Sequence, residues 1–367
     1  MLLAIVYAAN FIPQNPDGDF WNAQSPWFRY LLRWDAGWYS RIAREGYFYE
    51  GNNLIQNDVV FYPLYPLLTR VVSLLSGLPA HVSLLLISNA AILAAIVLIY
   101  HLVLKDYDRT TAFYSVLFLS LFPTSLFFSS GYTESLALLL IVLFFCMLTS
   151  KRFLLASVFA GLALATRSTS IVLLLPLTWG VYQSRSAGGK NWLLRLSMYL
   201  LIATSGLWLF MIYLWRDFNS PLAFAAAQQA WHGGDMRTSL LRAVTLRSFH
   251  HLTNVFHSPV NARTIVLSLD PWFFLLFVLL LVVFRKTLTM PYFLFTLGAL
   301  AVPYLSFSGS TSGFASFTRY LLLAFPIFII VAQFCKQRRW LAWSLAGLSA
   351  VLLFIYTALF AQWYWAG

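Results

Sequence analysis

The sequence predicts an all-α integral membrane protein: a multi-span helical bundle with surface helices in its first exterior loop. Three observations predict it. Hydrophobic residues make up 60% of the 367-residue chain and charged residues 10%, against about 25% charged in a soluble domain; mean hydropathy is +0.74. The apolar stretches are continuous and do not alternate, which points to helices and away from a β-barrel. The polar remainder is concentrated, above all in Leu32 to Pro66, where Asp35, Glu45, Glu50 and Asp58 fall among Arg33, Arg41, Arg44 and many Trp and Tyr residues.

Taken in order, Met1 to Ile12 is apolar but reaches only about 18 Å as a helix, short of a hydrocarbon core of about 30 Å. It lacks a basic n-region and a cleavage site, so it reads as the outer half of a first, incomplete span and not as a signal peptide. Asn15-Pro16-Asp17-Gly18 then breaks the helix. Residues 33–46 read as a helix lying flat at the membrane surface, with Asp35, Trp38, Tyr39 and Ile42 on one face. Residues 63–77, short and marked by proline, read as a second surface helix. Ten further spans follow, at 80–104, 110–128, 132–150, 153–166, 168–182, 193–215, 264–284, 290–306, 320–335 and 340–360. With the partial first segment, about eleven crossings form one membrane domain over residues 1–367.

Charge supports that order. An amino terminus in the cytoplasm puts Lys105/Arg109, Lys151/Arg152, Arg185/Lys190/Arg195, Arg285/Lys286 and Lys336/Arg338/Arg339 in short inner loops, as the positive-inside rule requires. The exterior then receives two long segments, 13–79 and 216–263, and the closing Trp363-Tyr364-Trp365 becomes an aromatic anchor at the outer interface. Every cation assigned outside is arginine, among them Arg29, Arg33, Arg41, Arg44, Arg70, Arg167 and Arg319. The guanidinium fork grips phosphate oxygens in pairs, so the group suggests a site for phosphate-bearing lipids; pairing with outer carboxylates is the plainer alternative.

Dispersed basic residues form no continuous stripe, so the formal charge of +12 does not indicate nucleic acid. Cys146 and Cys335 lie in apolar runs and provide neither a disulfide framework nor metal-ligand spacing, and the six histidines show no HxxxH. His232, His250, His251 and His257 read as surface or packing residues. Asn89 and His101 read as interhelical hydrogen-bonding groups.

Four positions are candidates for chemistry. Asp35 is either a helix N-terminal carboxylate or a general base for an acceptor hydroxyl. A single carboxylate suffices if the leaving group is a phosphate, whose developing charge neighbouring arginines would stabilise. Glu134, in Gly131-Tyr132-Thr133-Glu134-Ser135, either follows the capping Thr133 as an acid favoured by the helix dipole or stands beside Asp35 and positions a sugar hydroxyl. Arg167 interrupts two apolar stretches, where an unpaired charge is costly. Arg319-Tyr320 has the same character, with snorkelling as its alternative.

RWDAGWYSRIAREGY with FYPLYPLL, then FPTSLFFSSGYTESLALLL, ATRSTSIVLLLP, PLAFAAAQQAW, FTRYLLLAFPIFIIVA and AQWYWAG resemble the PIG-V family in order over nearly the whole chain. The resemblance implies a GT-C glycosyltransferase, a multi-span enzyme with its catalytic Asp on surface helices of the first exterior loop. It implies transfer of a mannosyl residue from a polyprenyl-phosphate donor of the dolichyl-phosphate type to a lipid-linked or exported acceptor hydroxyl, at the exterior face of a prokaryotic plasma membrane. Asp35 of the Trp34-Asp35 pair would be the base. Trp34, Tyr39, Arg41, Arg44, Glu134, Arg167, Arg319 and Tyr320 would bind substrate, with arginines holding the phosphate. No cofactor is required, a divalent ion near Asp35 and Glu134 being compatible but unnecessary. The bilayer, the lipid-borne donor and the acceptor are the expected partners. A lipid-glycan transporter or flippase, and a glycan polymerase or ligase acting through 216–263, are the competing expectations.

Overall fold

The structure, a computed structural model, describes residues 1–15, 28–52, 54–185, 191–232, 241–243, 245, 262–307 and 316–365. Among these it is helical, without β-strands. The helices run α1 Leu2–Phe11, α2 Asp35–Glu45, α3 Leu64–Ser76, α4 Ala80–Asp106, α5 Arg109–Leu121, α6 Leu126–Ser129, α7 Glu134–Thr149, α8 Phe153–Leu164, α9 Leu174–Gln183, α10 Trp192–Ala203 and α11 Ser205–Phe218. They continue with α12 Ala223–Ala226, α13 Gln228–His232, α14 Ala262–Val283, α15 Met290–Phe307, α16 Phe317–Leu321, α17 Pro326–Cys335 and α18 Arg339–Ala361. The all-α membrane architecture expected from composition is the one observed.

Helix α4 sets the axis of the bundle. At 1.5 Å per residue its 27 residues span about 40 Å. Its first turns meet the surface helices, where the Tyr65 hydroxyl donates to the Leu84 carbonyl at 3.0 Å. Its far end carries Lys105 and leads to Tyr107, whose hydroxyl donates to the Thr287 carbonyl at 2.8 Å; one residue on, Asp108 pairs with Lys336 at 3.3 Å. The basic loops near 105–109, 285–286 and 336–339 therefore gather at the end opposite Asp35, matching the sidedness read from charge. At the Asp35 end α1 and α18 finish together: the Asn15 amide donates to the Gln362 carbonyl at 2.9 Å and the Gln362 side chain to the Ala8 carbonyl at 2.7 Å.

Among the described residues, two helices, Ala80–Asp106 and Arg339–Ala361, are long and apolar enough to cross a membrane unaided, or three spans if α10 and α11, bent by 51°, count as one. Of the about eleven crossings expected, the first incomplete and several short, a number are broken within the described residues, for local reasons. Pro123 stops α5 before α6. Residues Ser168–Leu173 wind as a 3-10 helix before α9, so 168–182 is not one α-helix. Segment 320–335 is divided because Pro326 opens a new helix, leaving Phe317–Leu321 as a separate turn. Both surface helices form. In α3, Tyr65, Pro66 and Thr69 are buried while Leu74 and Leu75 are 76% and 85% exposed, the pattern of a helix packed on one face and left apolar on the other.

The bend between α10 and α11 is fitted against α8 by glycine. A Cβ on Gly206 would stand 2.1 Å from the Gly161 carbonyl oxygen and 2.6 Å from the Ala165 amide. Backbones approach this closely only where side chains are absent, a recurrent device between membrane helices. Gly206→Ala is expected to destabilise the folded chain by about 1–3 kcal/mol through overpacking, measured as a lower thermal midpoint and reduced monodisperse yield in detergent. Gly347→Ala, where a Cβ meets nothing within 4 Å, is the neutral control.

Candidate active site

The Asp35 end of the bundle is built from chain reversals. Gly131 lets the 130–134 turn press on the start of α2: a Cβ there would lie 2.9 Å from Leu32 Cδ2 and 3.1 Å from Ala36 Cβ. The Tyr132 hydroxyl donates to the Arg33 carbonyl at 2.9 Å, and the Tyr132 carbonyl accepts from Ser88 Oγ at 3.1 Å. α2 and α7 are thereby joined at their first turns, each opening on a carboxylate, Asp35 and Glu134. Trp34, just before Asp35, takes φ 54° and ψ −118°, an uncommon conformation for a non-glycine residue. It is held by edge-on contacts to Trp363 and Trp365, ring centroids 5.7 and 5.4 Å apart.

Two arginines from distant segments close on these carboxylates. Arg167 lies in the extended link between α8 and the 3-10 helix, and its Nη1 donates to Glu134 Oε1 at 2.5 Å and to Thr133 Oγ1 at 3.0 Å. Arg319, in α16, donates through Nε to the same Glu134 oxygen and through Nη1 to Asp35 Oδ2 at 2.8 Å. Their guanidiniums lie over aromatic rings: Arg319 is 4.6 Å from the Tyr132 centroid and Arg167 is 5.1 Å from that of Tyr320. Glu134 is completely buried, and both arginines are more than nine-tenths buried. Asp35 remains 18% exposed. Two carboxylates and two guanidiniums balance formally, which makes so much buried charge tolerable.

Three of this quartet, Asp35, Arg167 and Arg319, line a cavity of about 130 Å³, with Glu134 buried behind them. Asp35, Tyr39, Arg167, Arg319 and Tyr320 line it, with Thr133, Thr166, Ser168 and Thr169 beside them and Phe61, Tyr62, Gln228 and Trp231 across it. Burial, reinforced by the negative Asp35, holds the Tyr39 phenol well above its ordinary pKa. Tyr39 is therefore a neutral hydrogen-bond donor, and Asp35 is the ionisable acid that opens to the cavity. A second, larger cavity of about 540 Å³ lies behind α2, walled mainly by apolar side chains of α3, α8 and α11 and containing Arg70. Their linings meet where the Leu64 amide bonds to the Ala165 carbonyl at 2.9 Å.

Asp35, Tyr39, Arg167, Arg319 and Tyr320 thus converge as the sequence suggested. Glu134 reaches the site but is sealed behind the arginines and does not line the cavity; it anchors them, and the sugar-positioning role expected for it is not supported by its place. Arg41 and Arg44 do not reach the cavity. Arg41 lies 5.7 Å from the Trp38 ring and pairs with Glu45 at 3.5 Å, while Arg44 is exposed and 3.6 Å from Glu45. Helical geometry is the reason: at about 100° per residue Arg44 falls on the opposite side of α2 from Asp35. Trp34 supports Asp35 from behind without lining the cavity. Arg33 turns away, donating to the Ala361 carbonyl at 3.1 Å. Gln228 and Trp231 were not singled out from sequence; the signal was a polar-aromatic QQAW after the Asn219-Ser220-Pro221 break. His250, His251, His257 and most of 216–263 lie outside the described residues, as does the side chain of His232. Among the described residues, no group of three or more His, Cys, Asp or Glu side chains is placed to hold a metal ion.

A helical membrane protein with a charged, aromatic-walled cavity at one end of its bundle is the class these features define. Residues 10–185, a little under half of the chain, match the sequence model of the family described as mannosyltransferase (PIG-V). Asp35, Glu134 and Arg167 fall inside the matched stretch; Arg319 comes from beyond it. No curated protein matches the sequence. Among solved structures, a crystal structure of the Archaeoglobus fulgidus oligosaccharyltransferase, described as a complex with zinc and sulfate, is similar with a TM-score of 0.48 and 14% identity, covering 100% of this chain and 53% of that one. This chain thus spans about half the length of that one, and so slight a likeness bears no functional weight.

Two stability predictions follow from the site. Glu134→Ala leaves two buried guanidiniums without their shared anion and should cost about 3–5 kcal/mol, read from thermal or denaturant unfolding in detergent. Asp58 precedes the cavity-lining Val60–Tyr62 and accepts the Phe48 amide at 2.8 Å; its carboxyl is pushed up to about 6, chiefly by burial. Between the ordinary carboxyl range and about 6, the folded chain holds a proton that the unfolded chain has released. Stability should therefore fall as pH rises through that interval and level off above it, and Asp58→Asn should flatten the profile of thermal midpoint against pH.

Proposed function

We propose that this chain is a GT-C-type mannosyltransferase that moves a mannosyl residue from a polyprenyl-phosphate donor to an acceptor hydroxyl at the exterior face of the membrane. The observation that carries the proposal is the meeting of a cavity-exposed carboxylate, Asp35, with two guanidiniums lining the same cavity beside a large apolar hollow. The match of residues 10–185 to the mannosyltransferase (PIG-V) family model and the gathering of the basic loops at the opposite end support it. A prokaryotic plasma membrane is the setting that the resemblance favours.

In this reading the donor's prenyl chain lies along the apolar hollow and its phosphate faces Arg167 and Arg319. The acceptor hydroxyl approaches the anomeric carbon from the Asp35 side. Its oxygen forms the new glycosidic bond as the bond from the anomeric carbon to the phosphate oxygen breaks. The hydroxyl proton passes to Asp35, and the bonding pair leaves on polyprenyl phosphate. Arg319, which touches both Asp35 and the cavity, is suited to follow the charge: as negative charge grows on the phosphate the guanidinium turns toward it, freeing Asp35 Oδ2 for the proton. Because a phosphate leaves as a stable anion, no second carboxylate is needed as an acid, unlike in glycoside hydrolysis. As Asp35 takes the proton, the quartet is left with one net positive charge, which faces the phosphate as its own negative charge grows; a divalent ion is not part of this reading. Gln228 and Trp231 suit the sugar, an amide for hydroxyls and an indole face for ring C–H groups.

Asp35→Asn keeps the shape and removes the base. Membranes containing the variant, supplied with polyprenyl-phosphate [14C]mannose, should transfer label at least about 100-fold more slowly than wild type, with the protein folded to the same thermal midpoint within about 3 °C. Transfer near the wild-type rate would remove the base assignment.

A further inference from the structure

We infer that Asp270 is a positioning residue for the reaction proposed above, setting where Arg319 stands. Asp270 lies in the largely apolar helix α14, immediately before Pro271, and is 3% exposed. A carboxylate so placed is costly unless it is bonded. It is bonded by the turn that carries Arg319: the Thr318 backbone amide donates to Asp270 Oδ1 at 2.8 Å, the Thr318 hydroxyl donates to the same oxygen, and the backbone amides of Phe317 and Ser316 also face the carboxylate. Thr318 directly precedes Arg319.

The hold on this turn is two-sided. The Thr318 carbonyl accepts from Thr124 Oγ1 at 3.0 Å, and the Phe317 ring packs edge-on against Phe274 of α14 with centroids 4.9 Å apart. Ser316, where the turn begins, has φ 66°, a left-handed conformation that a serine keeps only when its neighbours hold it. Arg319 must reach Glu134 with Nε and Asp35 with Nη1 together, and a long side chain does that from only a narrow range of backbone positions. Asp270 supplies that position from a helix none of whose described side chains lines the cavity. Because it acts on Arg319, and Arg319 is assigned to the leaving phosphate and to Asp35, its loss should fall on turnover and not on capture of the donor.

The test compares Asp270→Ala, Asp270→Asn and Thr318→Ala in the full chain in membranes, with polyprenyl-phosphate [14C]mannose as donor. Asp270→Ala should lower kcat about 10- to 100-fold while KM for the donor stays within about threefold. Asp270→Asn, whose amide oxygen still accepts from Thr318, should stay within about threefold of wild type in kcat, and Thr318→Ala, which keeps the backbone bond, should fall between them. Added to Arg319→Lys, Asp270→Ala should cost no more than about a further twofold, because both act through one guanidinium. Wild-type kcat in folded Asp270→Ala, or a loss that multiplies fully with Arg319→Lys, overturns the inference. Should Asp270→Ala fail to fold, Thr318→Ala decides: unchanged kcat per folded molecule also overturns it. Absence of transfer by the wild-type chain would instead remove the functional reading on which the inference rests.

Discussion

Glu134 carries one negative charge into a fully buried place, and two guanidiniums from segments 33 and 185 residues away close over it. Everything at this end of the bundle is subordinate to that arrangement. Removing a carboxylate from water is unfavourable, and removing arginines is unfavourable too, but together they satisfy one another where apolar side chains keep water out. The start of α7, the link after α8 and the turn before α17 are drawn to one point by it. Asp35 is then the fourth charge, engaged by Arg319 through one oxygen and still open to the cavity.

This arrangement explains why so many apolar segments near the site are broken. A continuous α-helix bonds its own amides and carbonyls and presents side chains only sideways. The breaks at 122–125, 165–168 and 321–326 expose chain ends, so that Arg167 can leave an extended link and Arg319 a short turn, both directed inward. Interrupted backbone at membrane depth is tolerated where it is buried in protein or lines a water-filled cavity. Here the interruptions are partly satisfied by local hydroxyls, Thr124 to the Thr318 carbonyl and Ser135 to the Phe128 carbonyl at 2.5 Å.

The separation of a small polar cavity from a larger apolar one suits a substrate with a charged head and a hydrocarbon tail. Both linings draw on the same two segments, FYPLYP and the end of α8, which a backbone hydrogen bond from Leu64 to Ala165 joins at 2.9 Å. Ala165 and Thr166 are neighbours in sequence, yet the first faces the apolar hollow and the second the polar cavity. One side of the site thus follows from two adjacent residues pointing opposite ways.

Composition determined that the protein is helical and membrane-embedded, because the energetics of an unbonded backbone in lipid leave few alternatives, and the loop charges determined which ends lie together. Helical periodicity determined that Asp35, Tyr39 and Ile42 share a face, and applied strictly it also turns Arg44 away from them. What periodicity cannot supply is the meeting of Glu134 with Arg167 and Arg319, or the grip of Asp270 on Thr318. Those contacts join residues tens to hundreds of positions apart, and no local rule encodes which distant charge will neutralise another. The tertiary packing decided them, since buried charges must find partners within a few ångströms and only the folded bundle determines which partners are within reach.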